Sequence, residues 1–149
     1  MSYRSADLPP GSLVVGGVIE VTDGDVDEAR QLVAKDKERR NRTQPYRLAS
    51  VGSTFANPDG DYAGRLIEEV GLKGESTGGA RVSELHANFF INESEARADD
   101  FLELMARARH RVREQFGVEL RPEVRFVGFD GMKRLCELEQ QLEGEGSDA

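Results

Sequence analysis

Residues 98–117 read Ala98-Asp99-Asp100-Phe101-Leu102-Glu103-Leu104-Met105-Ala106-Arg107-Ala108-Arg109-His110-Arg111-Val112-Arg113-Glu114-Gln115-Phe116-Gly117. Phe101, Met105, Ala108, Val112 and Phe116 recur every three or four positions. That period lays them along one stripe of an α-helix, which Leu102 and Leu104 widen. Gly117 closes the helix, and its arginine-rich opposite face belongs to solvent. A helix with so marked an apolar stripe needs a layer to cover it, and the neighbouring sequence supplies one. Upstream, Ala80 to Ser83 and Asn88 to Asn92 read as short strands, the second carrying Phe89-Phe90-Ile91. Downstream, Val118 to Leu120 and Val124 to Val127 read as strands separated by Pro122.

Further out, Tyr62, Leu66, Ile67 and Val70 share a face of a short helix, capped by Asp59 or Asp61 and ended by Gly71 and Gly74. Residues 41–60 lose any period and read as a loop. Asp25 followed by Glu28 fits a capping box opening a helix from Val26 to Arg40. Its apolar stripe is narrow, which suits a surface connector. Leu13 to Val21 is a β-branched run expected to form a buried strand, bulged at Gly16-Gly17. A last helix spans Gly131 to Leu142, followed by an acidic, glycine-containing tail expected to be disordered. The class is α+β, a small antiparallel sheet packed by helices.

The 149 residues suffice for one compact domain, and 38% hydrophobic against 32% charged residues fits a globular chain with a polar surface. A formal charge of −8 argues against nucleic acid as a partner, though a local cluster of donors can still hold one small anion. Cys136 is the single cysteine, so neither an intrachain disulfide nor a cysteine-based zinc site is expected, and its apolar-periodic surroundings suggest a buried or half-buried thiol. No apolar run approaches the roughly 20 residues that span a bilayer, and the N-terminus has no signal-like apolar segment. A cytoplasmic location and no membrane partner are the expectations.

Three features could carry chemistry. Val51-Gly52-Ser53-Thr54-Phe55 places a hydroxyl beside a glycine in aperiodic sequence, as a proton donor or nucleophile or as a plain turn residue. It lacks the flanking glycines of a nucleophile elbow, and His86 and His110 are the only histidines, so a hydrolase is disfavoured. Lys73-Gly74 to Gly78-Gly79-Ala80 is glycine-rich but lacks the residue order of a phosphate loop, and reads as a turn. In Arg121-Pro122-Glu123-Val124-Arg125, alternation sets Glu123 beside Arg125, either as a structural ion pair or as an acid or base at a strand end.

Taken in order, these pieces gain specificity. Gln44-Pro45, Gly52-Ser53-Thr54-Phe55-Ala56-Asn57-Pro58, Ala63-Gly64-Arg65-Leu66-Ile67-Glu68, Gly71-Leu72-Lys73-Gly74, Gly78-Gly79-Ala80, Val82-Ser83, His86-Ala87-Asn88-Phe89, Ile91-Asn92, Phe116-Gly117-Val118, Leu120, Glu123-Val124 and Gly128 follow one another without a large gap. Together with Tyr3-Arg4 near the start, this succession resembles the UDP-N-acetylenolpyruvoylglucosamine reductase (MurB) family. The resemblance implies a role in reducing UDP-N-acetylglucosamine enolpyruvate to UDP-N-acetylmuramate for peptidoglycan, with NADPH and FAD. It carries the family's proton-donating serine onto Ser53 and its second catalytic group onto Glu123. Substrate-contacting positions fall on Tyr3, Gln44, Asn57 and His86.

The resemblance also has departures. Ala56 stands where the family usually has lysine, and Arg121 replaces a carboxylate common there. The family's flavin-binding portion lies upstream of the tyrosine-arginine motif, so no FAD site is expected in this chain. Residues 1–21 are then expected to be the end of a flavin domain, and 22–47 a connecting helix and linker. Residues 48–130 would be the substrate-binding domain, and 131–149 a terminal helix and tail. Three roles follow: the reductase's substrate-binding portion acting with a flavin domain, possessed by a separate chain or joined to this one; a non-catalytic UDP-sugar binding or regulatory module; or an interaction domain without a ligand.

Overall fold

The computed structural model describes residues 8, 9 and 11–146. Along them run α1 (Val26–Thr43), β1 (Ser50–Ser53), α2 (Ala63–Glu69), β2 (Ser76–Thr77), β3 (Ala80–Val82), β4 (Phe89–Asn92), α3 (Ala98–Phe116) and α4 (Gly131–Gly146). The strands form one antiparallel sheet in the order β1-β4-β3-β2.

Strand β4 is the apolar centre of that sheet. Phe89, Phe90 and Ile91 are all buried, and Val82 pairs with Phe90 across the ladder. Phe90 meets Phe55 edge-to-face with ring centroids 6.1 Å apart. Against this layer α3 sets Leu102, Met105, Ala108 and Val112, while α2 adds Leu66 and Ile67. Phe101 and Phe116, at the ends of the expected stripe, are only partly buried. Helix α3 ends at Gly117 in the left-handed conformation (φ 67), as the sequence predicts.

The N-terminus of α3 also fastens the sheet. Asp100 accepts from the Arg97 amide at 2.9 Å and from the Gly79 amide at 3.1 Å, so one carboxylate caps the helix and ties down the β2–β3 turn. Glu75, just before β2, receives Arg107 and Arg111 of α3 at 2.9 and 3.0 Å. Helix α4 seals the far side with Leu135 and Leu138. Between α3 and α4, Arg109 Nε lies 3.0 Å from Glu139 Oε1, both side chains being largely buried.

Several expectations need correction. Leu13 to Val21 carries no strand, and its side chains are solvent-facing, Val15 at 91% and Ile19 at 85% exposure. A strand exists only through its neighbours, and none of the described residues offers this run a ladder. Val118–Leu120 and Val124–Val127 form no strands either; a single bridge, Phe55 to Pro122, joins this stretch to the domain. Pro122 has no amide to extend the ladder. The aperiodic stretch 41–60 contains β1, whose four residues bulge between Ser50 and Ser53, with Gly52 at φ 77. Neither Asp59 nor Asp61 caps α2; Asn57 does. Helix α4 continues to Gly146 through the expected tail, and Cys136 is exposed. No helix among the described residues is long and apolar enough to cross a membrane.

Candidate functional site

The segment after β1 is held by an amide that imitates a peptide. Asn88, buried at the mouth of β4, accepts from the Phe55 amide through Oδ1 at 2.9 Å and donates from Nδ2 to the Phe55 carbonyl at 2.8 Å. Its own carbonyl accepts from the Thr54 amide at 2.8 Å. Residues 54 and 55 therefore have their polar backbone groups satisfied without a regular ladder. From this clamp the chain presents Ser53 on one side and Asn57 on the other. Asn57 Oδ1 then accepts from the Ala63 amide at 3.0 Å, capping α2 from six residues upstream.

His86 sits in the turn before β4. Its Nδ1 accepts from the Asn88 amide at 3.2 Å, so in the neutral ring the hydrogen is on Nε2. The ring packs edge-on against Phe89 at 5.0 Å and over the first turn of α2. A Cβ on Gly64 would come within 2.8 Å of His86 Cε1, so only glycine leaves room for this ring. Burial, helped by the charge of Lys73, pushes the His86 pKa below 6.5 and keeps the imidazole neutral at pH 7.

These pieces enclose a cleft of about 550 Å³ whose walls include Gln44, Ser53, Asn57 and His86. Four of the six expected site residues thus meet in one concavity, from elements far apart in sequence. Tyr3 lies outside the described residues. Glu123 is not among the lining residues, yet its amide donates to the Thr54 carbonyl at 2.9 Å, while the Ala56 amide donates to Arg121 at 2.9 Å. The backbone of Glu123 is thereby fixed one residue from Ser53. Glu123 itself is an exposed residue with a further interaction within the chain.

Two wall residues escaped the sequence reading. Asn88 stood in the His-Ala-Asn-Phe run, but nothing in the spacing shows that its side chain would replace a peptide. Arg65 lines the same cleft, held bidentately by Asp61 through Nε at 2.7 Å and through Nη2. The hydrogen bond from Arg65, then that from the Tyr62 amide, holds the Asp61 carboxyl down to about 2.

Neither Gly78-Gly79 nor Gly16-Gly17 fits the pyrophosphate of a flavin dinucleotide. A pyrophosphate needs free amides at a glycine-rich turn. Gly79, in the β2–β3 turn, has its amide taken by Asp100, and its Cα lies so close to Ser94 that a Cβ would stand 1.9 Å from the carbonyl oxygen. Gly16 and Gly17 lie in exposed coil with nothing within 4 Å of an added Cβ.

Residues 44–127 match the family model "UDP-N-acetylenolpyruvoylglucosamine reductase, C-terminal domain". The reductase of Anaeromyxobacter dehalogenans (strain 2CP-C) is 50% identical over 127 residues, covering 85% of this chain and 39% of that protein. The Myxococcus xanthus reductase is 46% identical over 127 residues, 85% of this chain and 41% of that protein. The crystal structure of the Thermus caldophilus reductase (MurB) superposes with a TM-score of 0.69 at 40% identity, covering 83% of this chain and 44% of that chain. The chain spans about two-fifths of the length of the curated relatives it matches. With its four-stranded sheet, its helices and its matched sequence in agreement, this chain belongs to the UDP-N-acetylenolpyruvoylglucosamine reductase (MurB) family.

Proposed function

We propose that this chain supplies the substrate-binding and proton-donating surface for reduction of UDP-N-acetylglucosamine enolpyruvate in peptidoglycan precursor synthesis. The observation that carries this reading is the convergence of Gln44, Ser53, Asn57 and His86 on one cleft. Reduction of an enol ether delivers a hydride to one carbon and leaves carboxylate-stabilised negative charge at its neighbour. That neighbour needs a proton from a group within hydrogen-bond reach. The bulge at Gly52 and the Asn88 clamp behind it support this role for Ser53. A hydroxyl is a weak acid, but the developing enediolate is a strong base. Glu123, anchored beside the same segment, is the second catalytic group. Neutral His86 offers Nε2–H, and Asn57 and Gln44 offer amides, to the nucleotide sugar.

The hydride would come from FAD reduced by NADPH. We assign residues 1–21 to the end of a flavin domain, 22–47 to a connector, 48–130 to substrate binding and 131–149 to a terminal helix and tail. The flavin domain is either continuous with this sequence or a separate chain, and the setting is cytoplasmic. The test combines this chain with the separately produced flavin portion of the Anaeromyxobacter dehalogenans relative and follows NADPH oxidation. Turnover that Ser53→Ala lowers by about 100-fold or more, at unchanged substrate binding, is the expected result.

A second reading is a non-catalytic UDP-sugar binding module. It is favoured by the cleft being lined wholly by residues between 44 and 88, so that a ligand could bind there without flavin or Glu123. Tight nucleotide-sugar binding with no turnover in any combination would select it.

A further inference from the structure

Arg65 is the only arginine or lysine that lines the cleft among the described residues, and two contacts prepare it. Asp61 takes Nε and one hydrogen of Nη2. The guanidinium carbon lies 5.6 Å from the centre of the Phe116 ring at the end of α3. A guanidinium has five N–H donors, so three remain, and among the described residues Nη1 has no partner. The side chain is still 47% exposed, which leaves those donors accessible. An isolated surface ion pair of this kind adds little stability, and the second clamp on Phe116 is more than such a pair requires. The other charged wall residue, Glu68, is paired with Lys73 at 2.8 Å.

We propose that Arg65 is the residue of the cleft that binds the anionic part of the nucleotide sugar, with Asp61 and Phe116 holding its guanidinium ready. The proposal rests on the cleft being a nucleotide-sugar site. A planar fork with three free donors suits bidentate contact with a diphosphate or a carboxylate, and prior fixing lowers the entropy lost on binding. Asp61 stays bound throughout, since the donors that would meet the ligand are the ones it leaves.

The test is calorimetric titration of the whole chain, wild type, Arg65→Met and Asp61→Asn, with UDP-N-acetylglucosamine and with its enolpyruvyl ether, at two salt concentrations. Arg65→Met is expected to weaken binding at least about tenfold and to flatten its salt dependence, whereas Asp61→Asn, which keeps the cation and loosens only its seat, is expected to weaken binding by only about two- to threefold and to keep the salt dependence. A loss seen with both ligands assigns the contact to the diphosphate; a loss seen only with the ether assigns it to the carboxylate. Unchanged affinity in Arg65→Met overturns the proposal and leaves the site reading intact. Equal losses in Arg65→Met and Asp61→Asn also overturn it, because the ion pair would then matter only as structure. Wild-type chain that binds neither ligand removes the site reading and this proposal with it.

Discussion

His86 ties the chemistry of the site to its stability. Because burial disfavours its imidazolium, the folded chain takes up this proton less readily than the unfolded chain does. The unfolded state therefore binds more protons between the lowered pKa and 6.5, and stability rises with pH across that window. Urea midpoints between pH 7.5 and 5 should fall on acidification, and His86→Gln should remove part of that fall. Identical pH profiles would show that His86 is not held neutral. At Asn88 the expectation concerns a peptide instead. Asn88→Ala strips both partners from the buried Phe55 backbone and should cost about 2–4 kcal/mol in chemical denaturation. Asn88→Asp keeps the acceptor but sets an oxygen against the Phe55 carbonyl, so it should not rescue.

At the scale of elements, the most testable junction is the β2–β3 turn against α3. Gly79→Ala would drive its Cβ into the Ser94 backbone, which cannot give way as a flexible side chain would. Destabilisation above about 3 kcal/mol, or failure to fold, is expected, read by circular dichroism and solubility. Leu135, fully buried where α4 meets the core, predicts a loss of about 2–4 kcal/mol in Leu135→Ala by urea unfolding. Long elements were the legible ones: α3 begins and ends where the period of residues 98–116 and Gly117 put it. The two-residue β2 and the bulged β1 were not, because no period can be read in so few residues. The strands expected around Pro122 failed for the opposite reason: apolar alternation was present, but no partner ladder was.

Across the whole molecule, two bodies of sequence behave differently. From residue 44 onward the chain builds a shared core, whereas α1 buries no residue and the 11–25 segment before it is exposed. Limited proteolysis and amide exchange should accordingly find residues 11–43 open and residues 50–142 protected, and protection of α1 at the level of α3 would contradict this. Of the candidate cleft, Gln44, Ser53, Asn57 and His86 were legible through a colinear resemblance. Its geometry was not, since Asn88 and Arg65 act through contacts that no single motif encodes.

The hydrogen bond from the Glu123 amide to the Thr54 carbonyl has a consequence in time. Ser53 is synthesised well before Glu123, so this second fastening of the serine segment waits for nearly the whole matched region to be made. A nascent chain arrested before Pro122 would hold the segment after Ser53 by the Asn88 clamp alone.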